Sequence, residues 1–249
     1  MKDRQSKILE IVAGGDKISV SALSRELAVS SVTIRQDLAF LEREGLIKRV
    51  HGGAILGGTD DIRSRMGVNY DKKILVARKA SSIVEDGETI FIEAGSVNAL
   101  FAKELLKRNG LIVVTANVFI TREMRKAHHV QVILLGGIYQ QESESLVGQL
   151  TKSFIDHVNF GKAFIGIDGF SPQAGFTCKD MMRAEISAKV IERSREAYVV
   201  TDSSKFGRAE LQTICNTEQI HCVITDSGIP DESKRFLTEH GVKVLVAQE

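Results

Sequence analysis

The segment from Ile18 to Ala54, ISVSALSRELAVSSVTIRQDLAFLEREGLIKRVHGGA, constrains this chain more than any other. Ser21 opens a helical run through Leu23 and Leu27, and Ala28-Val29-Ser30 breaks it as a tight turn. A second helix runs from about Ser31 to Glu44, with Val32, Ile34, Leu38 and Leu41 expected inward and Gly45 as its stop. Leu46-Ile47-Lys48-Arg49-Val50-His51 then alternates with period two into Gly52-Gly53, a hairpin signal. Ahead of these lies a helix over Asp3–Ala13, with Asp3 as N-cap and Gly14-Gly15 as its end, and Ile18-Ser19-Val20 is a short pairing strand. Helix, turn, helix and basic hairpin make a winged helix-turn-helix, a layout that fits the major groove of duplex DNA.

In that layout the start of the second helix faces base edges and phosphates. The outer residues there are Ser30, Ser31, Thr33, Arg35 and Gln36. Hydroxyls beside free helix N–H groups suit phosphate, Arg35 suits guanine, and Gln36 suits adenine. Lys48, Arg49 and His51 on the hairpin would reach phosphates or the minor groove. The bland alternative, a solvated helical pair, leaves the hydroxyls, the Arg-Gln pair and the basic hairpin idle. Bulk charge gives little help: residues 1–58 carry nine Lys/Arg against seven Asp/Glu, and the whole chain is +1. Affinity must therefore come from the placement of a few cations. So weak a head implies a homo-oligomer whose heads act together.

Residues 57–72 are polar and contain glycine, which predicts a boundary between a DNA-binding domain over 1–58, a linker over 59–74 and a second domain over 75–249. The second part alternates strand and helix signals. ETIFIEAG, LIVVTAN, VQVILLGG, KAFIGIDG, EAYVVTD, HCVITD and VKVLVAQ are short β-branched runs, and helical stretches such as SVNALFAKELLKRNG and VFITREMRKAHH lie between the earlier ones. This pattern predicts an α/β domain with a mostly parallel sheet. No apolar run approaches the roughly 18–20 residues that span a bilayer, and Met1 is followed by the charged run KDRQSK. The chain is expected to be soluble and cytoplasmic, with no membrane partner. Cys178, Cys215 and Cys222 match no metal template and are expected as free thiols, with Cys178 unreactive. The His128-His129 pair, at the end of an expected helix, lacks a third ligand, so no metal and no cofactor is expected.

The run Val32-Thr33-Ile34-Arg35-Gln36-Asp37-Leu38, with Leu41-Glu42, Gly45 and Arg49-Val50-His51-Gly52-Gly53-Ala54, resembles the DNA-binding module of DeoR/GlpR-type bacterial regulators. Gly136-Gly137, Phe164-Ile165-Gly166-Ile167-Asp168-Gly169 and Asp202-Ser203-Ser204-Lys205-Phe206-Gly207 occur in that family's order, so the resemblance covers nearly the whole chain. VILLGGIYQQESESLVG and FTCKDMMR look most like an enterobacterial member. The resemblance implies an effector domain with the fold of ribose-5-phosphate isomerase, a double-stranded operator as partner, and repression relieved by a metabolite.

Several strand ends independently suggest a ligand site. Gly95-Ser96-Val97-Asn98 is a small-residue loop opening a helix, whose free N–H groups suit a phosphate. Thr115 and Asn117, Gly136 and Gly137, Asp168 and Gly169, and Lys205 also come just after expected strands. Such ends converge on one edge of a parallel sheet, where ligands bind. With Lys205 as cation and Asp168 as hydroxyl acceptor, a phosphorylated sugar fits best. Taken one by one, each loop is an ordinary connection. Asp168, Glu185 and Lys205 can also be read as an isomerase's acid, base and phosphate anchor. Compared with the isomerases, however, Gly169 stands where a further acid would be, and Gln173-Ala174-Gly175-Phe176 replaces a lysine loop. These gaps favour binding without turnover, and a constitutive DNA binder with a purely oligomerising second domain is the other alternative. Val97 and Ala116 depart from the hydrogen-bonding residues common in the regulators, so the resemblance does not carry over the identity of the sugar.

Overall fold

The computed structural model describes residues 3–13, 17–55, 60–125 and 127–248, and the chain divides into two compact units, Met1–Asp71 and Lys72–Glu249. In the first unit, α1 (Asp3–Ala13), α2 (Val20–Glu26) and α3 (Ser31–Arg43) pack with a small antiparallel sheet. That sheet has the order β1 (Ile18–Ser19), β3 (Gly53–Ile55), β2 (Lys48–Val50), with Ile18 and Arg49 both opposite Ala54. Gly53 permits the close pairing, because a Cβ there would fall 2.1 Å from the Ile18 carbonyl oxygen. Ile8, Leu9, Val12, Leu23, Ile34, Leu38 and Leu41 are buried, and they form the core that holds the three helices together.

Three local expectations are corrected. The first helix of the motif begins at Val20, one residue before Ser21, and Ser19 is its N-cap, accepting from Ala22 N at 3.1 Å. Val32 points outward and is 61% exposed. At about 100° per residue it lies roughly 200° around α3 from Ile34, on the far side from the Ile34–Leu38–Leu41 stripe. Asp37 takes a place on the buried face instead. The Gly14-Gly15 stop lies outside the described residues, as do positions 56–59. The next described stretch is helical rather than loop: α4 (Ile62–Gly67) is capped by Asp61, which accepts from Arg63 N and Ser64 N at 2.9 and 3.0 Å, and buries Ile62 and Met66. After it comes α5 (Tyr70–Ser81).

The second unit is built on a seven-stranded, all-parallel sheet. Its strands are β4 (Thr89–Ile92), β5 (Ile112–Thr115), β6 (Gln131–Leu134), β9 (Lys162–Ile165), β12 (Glu196–Val200), β14 (Cys222–Asp226) and β15 (Lys243–Ala247). Their order is β15-β14-β12-β9-β4-β5-β6. The central strands are apolar on both faces: Ile90, Phe91, Ile92, Ala163, Phe164, Ile165, Val199 and Val223 are buried. This is the pattern of a parallel sheet covered on both sides. Besides most of α5, the α-helices of this unit are α6 (Ser96–Glu104), α7 (Val118–Met124), α8 (Gln149–Asp156), α9 (Met181–Arg193) and α10 (Asp231–Glu239). α7 ends before His128 and His129, which sit in a turn, so the expected helix over 118–129 is too long. His129 Nε2 lies 3.0 Å from the Leu106 carbonyl oxygen. Two antiparallel additions were not legible in the sequence. One is the ribbon β7 (Ile138–Gln140) with β8 (Ser145–Val147). The other is the sheet β10 (Gly169–Ser171), β11 (Gly175–Cys178) and β13 (Gln212–Cys215).

Candidate functional site

The start of α3 presents one candidate surface. Ser30 caps the helix, its Oγ accepting from Thr33 N at 3.1 Å and lying 2.9 Å from Thr33 Oγ1. Ser31 is half-buried behind it, whereas Arg35 and Gln36 are exposed and engage no other side chain among the described residues. Val32 precedes Arg35 and Gln36 by one turn, adding an apolar group suited to a thymine methyl. On the wing, Lys48 and His51 are exposed. Arg49 is tethered: its N–H donates to Glu42 Oε1 at 3.2 Å, and its guanidinium pairs with Glu42 Oε2 at 3.8 Å. That contact fixes the wing against α3. Behind the helix, buried Asp37 accepts from Arg4 Nε at 2.6 Å and Gln5 Nε2 at 3.1 Å, setting α1 against α3. A polar residue at Asp37's position in the motif was visible, but its burial was not.

The second candidate lies at the carboxyl edge of the parallel sheet. From β4 the chain winds outward to β5 and β6, and from β9 it winds the other way to β12, β14 and β15. The loops after β4 and β9 therefore diverge, and in such sheets ligands bind at the switch point. Gly166 lets these loops touch, because a Cβ there would meet the Ala94 carbonyl oxygen at 2.6 Å. Gly166 N donates to Glu93 Oε2 at 3.1 Å. Asn98 Nδ2 donates to the carbonyl oxygens of Glu93 and Phe164, at 2.9 and 3.0 Å, tying the two strand ends together. Asn98 is fully buried, and its Oδ1 has no hydrogen-bond partner among the described residues. Gly95 opens α6 and, as a glycine, gives it no side-chain cap, and Gly95, Ser96 and Val97 are all buried.

The remaining expected residues surround this point in differing states. Thr115 Oγ1 donates to the Ile92 carbonyl oxygen at 2.7 Å and accepts from Asn117 N at 3.2 Å. Asn117 caps α7 and donates to the Ser143 carbonyl oxygen at 2.9 Å. Gly136 accepts from Thr151 Oγ1 at 2.8 Å, and a Cβ on Gly137 (φ +153°) would fall 2.0 Å from that same oxygen. Buried Asp168 accepts from Lys179 N at 3.2 Å, with Cys178 Sγ at 3.4 Å, and Gly169 begins β10. Lys205 ends a 3₁₀ turn, Ser203–Lys205, and is half-buried. Glu185 is exposed on α9, and its carboxylate pairs with Lys152 Nζ at 3.1 Å.

Other groups at this edge were not singled out from the sequence. Lys73 on α5 is buried and lies 3.8 Å from Asp202 Oδ2, and Lys72 lies 3.7 Å from Asp226 Oδ1. Burial acts to raise the Asp202 pKa, but the Lys73 ammonium, the Ser204 hydrogen bonds and Lys205 outweigh it, holding the carboxyl below its ordinary value. Asp226 Oδ2 also accepts from Ser203 N at 2.6 Å. Arg183 on α9 is buried, with Nε 3.9 Å from Asp180 Oδ1. A signal for both was present: Lys73 shares a helical stripe with Val76, Ala77 and Ala80, and Arg183 with Ser187 and Val190. Burial pushes the Cys178 thiol up to about 12, with Asp168 adding to it, so the thiolate is scarce at neutral pH. Glu93, Ala94, Ala116, Ser145, Arg183 and Ile186 are among the residues around a cavity of about 10 Å³, room for about one water.

A winged helix-turn-helix with an unpaired Arg-Gln face, followed by a parallel α/β unit with polar groups gathered at its switch point, defines a DNA-binding regulator with a sensor domain. Residues 4–58 match the DeoR-like helix-turn-helix domain, and residues 68–227 match the DeoR C terminal sensor domain. The chain belongs to the DeoR family of transcriptional regulators. It is 31% identical to the HTH-type transcriptional regulator GolR of Listeria innocua over 99% of this chain and 98% of that one. It is 28% identical to the glycerol-3-phosphate regulon repressor of Escherichia coli K12, covering 97% of each. Among solved structures it is similar to ribose 5-phosphate isomerase A of Methanocaldococcus jannaschii, at 21% identity over 55% of each chain and a TM-score of 0.42. Among the described residues no helix is long and apolar enough to cross a membrane.

Proposed function

We propose that this regulator represses a carbohydrate-metabolism operon and is released by a phosphorylated sugar, or a related metabolite, bound at the carboxyl edge of its sheet. Residues 1–58 read the operator, 59–74 connect, and 75–249 sense and oligomerise. Ser30, Ser31, Thr33, Arg35, Gln36, Lys48, Arg49 and His51 are the DNA contacts. The effector residues are Gly95 to Asn98, Thr115, Asn117, Gly136, Gly137, Asp168, Gly169, Glu185 and Lys205. The uncapped first turn of α6 and the Lys205 ammonium suit the phosphate, and Asp168 and the open acceptor of Asn98 suit hydroxyls.

The observation that carries this reading is the switch point itself: the loops after β4 and β9 meet through Gly166, and the buried Asn98 that ties the two strand ends keeps an Oδ1 with no hydrogen-bond partner among the described residues. A ligand that favours one of two arrangements of this edge is what a switch requires. The names of two relatives, a transcriptional regulator and a glycerol-3-phosphate regulon repressor, support the same assignment. The match to a regulator's helix-turn-helix and sensor domains supports binding without turnover. The segments VILLGGIYQQESESLVG and FTCKDMMR support a place among the enterobacterial members, and DNA binding supports a cytoplasmic location.

The test is selection of binding sites from a randomised duplex library by the purified full chain at near-physiological salt. Recovery of a discrete two-fold symmetric site supports the operator reading. Sequence-blind capture that vanishes with added salt would contradict it.

A further inference from the structure

Beside the sheet-edge site, α8 and the first turn of α9 leave an apolar face open. Leu150 and Phe154 stand one turn apart on α8, Ile138 lies on β7, and Met181 and Met182 open α9. These five side chains are 38% to 66% exposed. They are neighbours in space as well as in type. Ile138 Cδ1 and Met182 Cε come within 3.3 and 3.7 Å of the point a Cβ would take on Gly148, the residue that starts α8. The Phe154 ring lies 3.2 Å from the same point on Gly136. Beneath them, Gln140 Nε2 donates to Asp180 Oδ2 at 3.0 Å, locking β7 to the start of α9.

Size and charge restrict what covers this face. At about 200 Å² for a large side chain, the five leave roughly 500 Å² of apolar surface in water. That is near the upper end of the largest patch on a monomer, about 300–600 Å². It is also more than half of the about 800 Å² that each partner contributes to a standard interface. The rim carries both signs in balance: Lys152 pairs with Glu185 at 3.1 Å, and Lys189 pairs with Asp156 at 2.9 Å, each linking α8 to α9. A two-fold axis brings a patch onto itself, so a rim of one sign would repel its own copy, and a balanced rim does not. A polyanion such as DNA finds no positive field here.

We propose that this face is where a second copy of the chain docks, in an isologous contact centred on Leu150, Phe154 and Met182. The proposal rests on the reading of this chain as an operator-binding oligomer. The first turn of α9 then serves two neighbours, with Arg183 turned into the sheet edge and Met181 and Met182 turned toward the copy.

The test is sedimentation of the full chain from nanomolar to high micromolar concentration, comparing wild type with Leu150→Glu and Met181→Glu. Lys107→Glu, at an exposed position on the turn between α6 and β5, is the control. The wild type and Lys107→Glu should associate alike, and each of the other two variants should weaken one association step by at least about tenfold. Both positions are exposed, and thermal melting checks that the fold survives. As a measurement that needs no variant, hydrogen exchange of wild-type residues 149–156 should slow as concentration rises. An oligomer indifferent to both charges, or with no concentration-dependent protection on α8, overturns the assignment of the face. A wild type that stays monomeric throughout contradicts the oligomer reading itself.

Discussion

The Lys73–Asp202 pair gives the sharpest energetic prediction. Both groups are buried, and their charges lie 3.8 Å apart. At an effective dielectric of about 20, that separation corresponds to an attraction of about 4 kcal/mol. Lys73→Met keeps most of the stem's packing but leaves the Asp202 carboxylate buried without its ammonium. We expect a loss of about 3–5 kcal/mol in the unfolding free energy of the second unit, the range for a broken buried pair. The sign of the pH dependence is fixed by the same pair. The folded Asp202 pKa lies below its unfolded value, so its contribution is complete above the ordinary carboxylate pKa of about 3.9 and fades as pH falls through the lower folded value. Without Lys73, burial dominates and the folded pKa rises, so acid unfolding should begin at higher pH. Adding Asp202→Asn to the Lys73 variant should recover most of the loss. Urea titration monitored by circular dichroism, repeated across the acid range, measures all three effects. A Lys73→Met loss below about 1 kcal/mol with an unchanged acid limb would refute the reasoning, since an exposed pair would behave that way.

Other expectations are more local. Arg35→Ala should cost about 1–3 kcal/mol of specific operator affinity and relax discrimination at one base, whereas Lys48→Ala should weaken all sequences alike and lower the salt slope by about 1; fluorescence anisotropy on matched and mismatched duplexes separates the two. Gly137→Ala should destabilise the second unit by about 1–3 kcal/mol or more in thermal melting, because its Cβ would fall 2.0 Å from Thr151 Oγ1 and 2.7 Å from the Val147 carbonyl oxygen. Cys178, with its thiol pushed up to about 12, should resist a thiol reagent at pH 8 until the chain unfolds, and rapid stoichiometric labelling of the native protein would contradict its burial.

The parts of the fold written as long apolar runs were legible. The α2–α3 pair, the wing and the parallel strands are encoded in helical spacing, β-branched runs and glycine stops. The misses have physical causes. Val32 is apolar yet faces water, because composition alone does not register its angle around α3. The β7–β8 ribbon and the β10–β11–β13 sheet use strands of three or four residues, too short for an alternation to declare itself. Lys73 and Arg183 were not singled out, and the burial of Asp37 was not foreseen, because such burial depends on partners far along the chain. Asp202, for example, is brought to Lys73 only by the winding of the sheet. At the site, Thr115, Asn117 and Asn98 were chosen as ligand groups, and their side chains are also spent on joining strand ends and capping α7. The sequence marks where polar groups gather, and geometry decides which of their atoms stay open.

The central claim is that a phosphorylated sugar binds at the sheet edge and releases DNA. The most direct test titrates the selected operator with the full chain in the presence of a panel of phosphorylated sugars, each beside its unphosphorylated parent, with Lys205→Ala alongside. We expect at least one phosphorylated sugar to weaken operator binding by about tenfold or more, a coupling of about 1.4 kcal/mol. Its parent should have no effect, and the Lys205 variant should bind DNA normally but ignore the sugar. If no member of the panel changes operator affinity or thermal stability, or if the parent sugar acts as well as its phosphate, the account is wrong.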